Sequence, residues 1–308
     1  MAGIAIRTES LSRHFGNLRA VDGLSFEVPT GSIFGFLGPN GAGKTTTFSL
    51  LCGFMRPTAG TAEVLGAPLN ALHRVRRRMS ALPQDARFHP ERTVIDDLRF
   101  LAHLGGQSPD DASRDAERVL AAVGLEDARN VKGKALSHGM AKRFGIAQAF
   151  LGSPELVLLD EPTEGLDPRM AKGIRDLIRS LAGKSTVLVS SHNLAEVEDL
   201  CDHAAILDRG RLVTAGSMAA LTGSDELLLI TLGAPIDAPS RILAGLPSVK
   251  SVEASSDGRR LRVRLASPEG QPFEAVVTRV LDALIRSGAL IGTVGRGRGL
   301  EERFLEVT

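Results

Sequence analysis

The chain has 308 residues, 43% of them hydrophobic and 24% charged, which describes a folded globular protein and excludes a disordered or fibrous one. Its 37 basic and 36 acidic side chains nearly cancel, so no global field draws it to nucleic acid or an anionic membrane. Two cysteines, Cys52 and Cys201, are too few for a disulfide framework or a four-cysteine zinc site, which fits a reducing compartment.

With no Trp, no Tyr and 12 Phe, stacking on a ligand falls to Phe or His. Residues 1–10 carry no basic-then-apolar pattern, so no signal peptide is expected. The apolar runs at 156–159 and 227–230 fall far short of the roughly 20 residues that span a bilayer. The chain is not expected to cross a membrane alone, and its length predicts two domains.

In chain order, 4–8 and 24–28 read as hairpin strands, and 33–37 as a buried strand followed by a helical run over 46–54. Further short apolar strands are expected at 79–82, 156–160, 186–190 and 204–207, alternating with helical patterns as in a mainly parallel sheet. From Gln84 to about Gly152 the strand signal disappears, and Ile95, Leu98, Leu101 and Ala102 recur at helical spacing, predicting an inserted helical subdomain. The basic run Arg74, Arg76, Arg77 and Arg78 reads as a solvated face in preference to a lipid contact.

After residue 221 the pattern becomes strand 226–232, helix 240–246, strand 249–254, an Asp257-Gly258 turn and a strand in which Leu261, Val263 and Leu265 alternate with Arg260, Arg262 and Arg264. A helix with Phe273, Val276, Val280 and Leu284 on one face and a strand near 289–294 complete a β-α-β-β-α-β order, that of a ferredoxin-like unit.

Two motifs carry chemistry. Residues Gly38-Pro39-Asn40-Gly41-Ala42-Gly43-Lys44-Thr45 fit G-x-x-x-x-G-K-[ST] between a strand and a helix. Glycines there let backbone N–H groups converge on a phosphate at a helix N-terminus. Lys44 would reach the β- and γ-phosphates and the Thr45 hydroxyl would ligate magnesium. The second motif is the apolar strand 156–159 ending in Asp160 and Glu161. Asp160 is placed to orient metal-bound water and Glu161 to polarise the attacking water. Taken singly, each motif also reads as a plain glycine turn or a strand-end acidic pair.

Together with Leu136-Ser137-His138-Gly139-Met140 upstream of the acidic strand, Gln84 after strand 79–82, Gly165-Leu166-Asp167-Pro168 after Glu161, and His192 after strand 186–190, these motifs resemble the ATP-binding cassette family over residues 1–221. The resemblance implies an α/β P-loop cassette with a mainly parallel sheet, an N-terminal antiparallel β-subdomain and a helical subdomain at about 85–152. A small C-terminal α+β ferredoxin-like domain over 222–308 would follow. It implies ATP and Mg²⁺ as cofactors, with Gly38, Asn40, Gly41, Gly43, Lys44, Thr45 and Thr46 around the nucleotide and Phe15 as the adenine platform. Thr45, Gln84 and Asp160 would serve the metal.

In that family two cassettes close head to tail around ATP. The resemblance therefore implies that Ser137 and Gly139 meet the γ-phosphate held by a second copy or a homologous cassette, and that Asp167 bridges the two. Gln84 would sense the γ-phosphate and metal, and His192 would hold the γ-phosphate and the attacking water beside Glu161. His138 and Met140 depart from the family's commonest signature, whereas Ser137 and Gly139 keep it. The ending 299–308 resembles the tail of drug, antibiotic and polysaccharide exporter cassettes, so an exporter subunit is expected. It would sit on the cytoplasmic face of the membrane through a separate transmembrane permease, met by 85–100 with Phe88 and Phe100, and no nucleic-acid partner is expected. The alternative is a soluble cassette ATPase outside transport.

Overall fold

The computed structural model describes residues 3–86, 88–183, 185–222, 226–266, 273–296 and 300. The exporter-like ending, Leu300 apart, lies outside them. The chain divides into two compact units, Met1–Ser217 and Met218–Thr308.

The first unit opens with a hairpin, β1 (Ile4–Phe15) and β2 (Leu18–Pro29), each strand far longer than the hydrophobic run that announces it. The charged and polar extensions are carried by pairing with the opposite strand, where Arg7 meets Glu27 and Phe15 meets Leu18. After the hairpin comes β3 (Ile33–Leu37), buried at every position, followed by α1 (Lys44–Leu51). Strands β4 (Ala59–Val64) and β5 (Ala67–Pro68) complete an antiparallel sheet in the order β2-β1-β4-β5. Neither strand stands out in the sequence, because β4 buries only two of its six residues.

The second sheet takes β6 (Met79–Leu82), β7 (Leu156–Asp160), β8 (Thr186–Ser191), β9 (His203–Asp208) and β10 (Arg211–Ser217) with β3, in the order β10-β9-β3-β8-β7-β6. All of its pairs are parallel except β9 with β10. Strands β7 and β8 are wholly buried, which is why they read as continuous apolar runs instead of alternating ones. Phe26, Phe34, Phe36 and Phe48 form the aromatic centre of the core between this sheet and the N-terminal one.

Among the described residues, three α-helices fill the stretch between β6 and β7: α2 (Val94–Leu104), α3 (Pro109–Ala122) and α4 (His138–Ala149). Each starts at a hydroxyl side chain, that of Thr93, Ser108 or Ser137, which accepts a first-turn N–H, from Asp96, Asp111 and Met140 respectively. Helices α5 (Pro168–Ala182) and α6 (Leu194–Leu200) follow β7 and β8, capped by Asp167 and Asn193. The basic run is partly consumed by structure. Arg78 forms a two-pronged pair with Glu155 at 2.6 and 2.7 Å, and Arg77 donates to the Gly106 carbonyl.

The second unit contains α7 (Met218–Thr222), β11 (Glu226–Leu232), α8 (Pro239–Leu243), β12 (Val249–Ala254), β13 (Arg260–Leu265), α9 (Phe273–Arg286) and β14 (Ile291–Arg296). Its sheet is fully antiparallel in the order β12-β13-β11-β14, the ferredoxin-like arrangement. Leu228, Ile230, Leu261, Val263, Val276, Val280 and Leu284 form its own core, so the alternation of β13 does place one face inward. Helix α8 ends three residues before the sequence-predicted helix does.

Candidate nucleotide site

Strand order builds the site. Strand β8 lies between β3 and β7, with Leu37 beside Ser191 and Asp160 beside Ser190. The carboxyl ends of the three strands are therefore level, and the segments leaving them converge on one edge of the sheet, where open parallel sheets hold their ligands. These segments carry the glycine-rich loop, Glu161 and His192.

The loop has the backbone that its glycines permit. Gly41 and Gly43 have φ of +82° and +97°, and a Cβ on Gly43 would stand 2.3 Å from the Ala20 carbonyl oxygen. Gly43 is also the N-cap of α1, and no side chain caps that helix, so its first-turn N–H groups are left for an anion. A cleft of about 680 Å³ opens here, lined among others by Asn40, Gly41, Gly43, Lys44, Thr45, Thr46, Gln84, Glu161 and Glu164.

The Lys44 ammonium is buried. It donates to the Gly38 carbonyl at 2.7 Å and the Pro39 carbonyl at 3.3 Å, and it pairs with Glu161 Oε1 at 3.2 Å. Glu161 is equally buried, and His192 Nδ1 lies 3.1 Å from its second oxygen. Glu161 itself has a φ of +48°, an uncommon conformation for a non-glycine residue. Its Oε1 has no hydrogen-bond partner in the described residues and only the Lys44 charge opposite it.

Asp160 is held by a residue that the motif reading missed. Ser190 Oγ donates to Asp160 Oδ1 at 2.5 Å and accepts the Glu161 N–H at 2.9 Å. One hydroxyl thus fixes both acidic positions. The clue in the sequence was a polar residue ending an apolar strand, but its partner follows only from the β7–β8 register. Cys52, half-buried near Asp160, has its thiol pushed up to about 12 by burial first and by the Asp160 charge second, so it stays protonated and inert.

Among the described residues no group of three or more His, Cys, Asp and Glu side chains could cage a metal. That suits a magnesium ion held mainly by phosphate oxygens and water, with one or two protein ligands. Thr45 and Gln84 line the cleft, and Asp160 lies buried behind it with one oxygen already taken by Ser190. The residues present fit the group.

Ser137, Gly139, Asp167 and Phe15 do not line the cleft of their own chain. Ser137 and Asp167 are exposed N-caps, accepting from Met140 and from Arg169 and Met170. They belong to one patch of surface. A Cβ on Gly139 would meet Met170 Sδ at 2.8 Å, and one on Gly165 would meet His138 Nε2 at 3.3 Å, so the unusual His138 packs against the loop that leads to Asp167. Phe15 is 43% exposed, with the Arg13 guanidinium 4.6 Å from its ring centroid, and so is no core residue. Its hairpin partner Leu18 lines the cleft. Of the two phenylalanines expected to meet a permease, Phe88 packs on Phe144 at 4.8 Å, whereas Phe100 is exposed beneath the Arg92 guanidinium.

A strand, a lysine loop opening a helix, and a carboxylate-ended strand two places away define a P-loop ATPase cassette. The family model for ABC transporters matches residues 21–164. The daunorubicin/doxorubicin resistance ATP-binding protein of Streptomyces peucetius is 35% identical over 99% of this chain and 92% of its own length. The Nod factor export ATP-binding protein I of Ralstonia nicotianae is 32% identical over 98% and 93%. The bacitracin transport ATP-binding protein of Bacillus licheniformis is 40% identical over 68% of each chain. Among solved structures, an ATP-binding subunit of an ABC transporter aligns with a TM-score of 0.64 and 29% identity, over 70% of this chain and 91% of that one. A dimeric ATP-binding cassette bound to ADP and Pi shares the fold, with a TM-score of 0.63 at 21% identity over 69% of this chain and 98% of that one.

The chain belongs to the family of ABC transporter ATP-binding proteins, and its first unit is an ATP-binding, ATP-hydrolysing cassette. No helix among the described residues is long and apolar enough to cross a membrane.

Proposed function

We propose that this chain is the ATPase subunit of an exporter, binding two MgATP between two cassettes and driving a separate transmembrane permease from the cytoplasmic face of the membrane. The observation that carries the reading is the convergence of Lys44, Glu161 and His192 within ion-pair distance at one sheet edge. Export is supported by the names of the three relatives, which speak of drug resistance, Nod factor export and bacitracin transport.

In this reading the loop N–H groups of Gly41 to Thr46 and the Lys44 ammonium bind the triphosphate, and Phe15 stacks on the base. Thr45, Gln84 and Asp160 would hold magnesium, which would supply positive charge to offset the phosphates. Once phosphate oxygens take over the Lys44 ammonium, the Glu161 carboxylate is released from its ion pair to accept a proton from the attacking water. His192 keeps that carboxylate oriented. Ser137, Gly139 and Asp167, grouped on the exposed surface, complete the site of a second copy or a homologous cassette. The helical subdomain with Gln84 and Phe100 meets the permease, and the second unit serves as an accessory domain.

Replacing Glu161 with Gln tests the assignment. Turnover should fall at least a hundredfold while MgATP still binds and traps a stable dimer, read by phosphate release and size-exclusion chromatography. Undiminished turnover removes Glu161 from its role.

A further inference from the structure

The turn that leaves β7 carries a third carboxylate into the cleft. Glu164 lines it beside Lys44, Thr45, Gln84 and Glu161, and Gln84 Nε2 donates to Glu164 Oε2. A carboxylate offers only acceptors, so this bond fixes which end of the Gln84 amide is which. With its NH₂ turned to Glu164, the amide presents Oε1, the atom that can ligate a cation, on the opposite side. The turn itself is held by hydrogen bonds. The Glu164 N–H donates to the Glu161 carbonyl at 3.2 Å, and Thr163 Oγ1 donates to Glu196 Oε2 at 2.6 Å. Glu196 in turn pairs with Arg175 at 3.3 Å. Gln84, by contrast, is an exposed residue in a turn past the end of β6, with no other side-chain bond to orient it among the described residues.

We infer that Glu164 is a positioning residue that holds the Gln84 amide oxygen toward the metal and tunes the site to prefer metal-bound over metal-free ATP. Orientation of a ligand by a carboxylate behind it governs metal affinity in many sites. The charge acts in the same direction. Glu164 adds a negative group facing the triphosphate, which disfavours bare ATP and favours the complex in which a divalent cation offsets the phosphates. This inference rests on the nucleotide site proposed above and deepens it.

The experiment measures Mn²⁺ as the probe. Free Mn²⁺ is titrated by electron paramagnetic resonance against the full chain in saturating ATP, and a fluorescent ATP analogue is titrated separately with EDTA. Glu164→Ala should weaken Mn²⁺ about tenfold while metal-free nucleotide binds as well as or better than to wild type. Glu164→Gln, which can still accept the Gln84 N–H through its own oxygen, should recover most of the Mn²⁺ affinity and keep the tighter metal-free binding. A general folding defect would weaken both titrations together and would overturn the inference, as would unchanged values in both. Lys44→Ala separates the two levels. If it binds nucleotide like wild type, the site itself is misassigned. If it loses nucleotide while Glu164→Ala is silent, the site stands and the Glu164 role falls.

Discussion

Ser190 Oγ donates a 2.5 Å hydrogen bond to Asp160 Oδ1, joining the two neighbouring parallel strands at the level where both enter the site. The same hydroxyl receives the Glu161 N–H, so the strained backbone of Glu161 and the orientation of Asp160 have one common support. Ser190→Ala leaves a buried carboxylate oxygen and a buried N–H without partners. A loss of about 1–3 kcal/mol in stability is expected, together with a higher magnesium requirement for ATPase activity. Urea denaturation and a magnesium titration check it, and wild-type values in both would show the hydroxyl to be dispensable.

The Lys44–Glu161 pair is buried on both sides, at 6% exposure each. Lys44→Ala therefore removes more than a phosphate ligand, because it strands the Glu161 charge in the interior. About 3 kcal/mol of destabilisation is expected before any nucleotide is added, along with loss of ATP binding by calorimetry. The double substitution Lys44→Ala with Glu161→Gln should restore much of the stability but none of the binding. Stability unaffected by the single change would mean that the pair contributes nothing to the fold.

Phe15→Ala should reduce ATP affinity by about 1–3 kcal/mol, the value of stacking one base on an aromatic ring, without changing magnesium dependence. Because stacking is tolerant of the base, GTP affinity should fall in parallel. Calorimetry with both nucleotides decides it. A loss confined to ATP would point to hydrogen-bonded recognition of adenine elsewhere.

Both thiols are pushed upward by burial, Cys52 to about 12 and Cys201 further still. Neither should react with iodoacetamide at neutral pH in the folded protein, and both should after denaturation, as mass spectrometry can count. The pH consequence has a definite sign. Below the ordinary thiol range both folded and unfolded states hold the proton, and stability does not depend on these groups. From about pH 9 upward the unfolded chain loses its thiol protons and the folded one keeps them, so stability declines by up to about 1.4 kcal/mol per pH unit per thiol. Replacing both cysteines with Ala should flatten the alkaline limb of a stability profile.

The motifs were legible because their chemistry is local. A lysine loop between strand and helix needs only contiguous residues, and so does the apolar strand that ends at Asp160. The fully buried strands β3, β7 and β8 were likewise visible as unbroken apolar runs. Strands β4 and β10 were not, because their residues are mostly exposed or half-buried and are held by pairing with strands distant in sequence.

Composition and pattern alone thus settled which residue types could bind a triphosphate, the α/β class of the cassette and the order of elements in the second unit. Only the tertiary structure decided which side chains meet. The insertion of β8 between β3 and β7 brings Ser190 to Asp160, and the turn after β7 swings Glu161 onto Lys44 and His192 and brings Glu164 to Gln84. Such pairings join residues 30 to 117 positions apart, set by strand register and a left-handed backbone turn that no local pattern encodes.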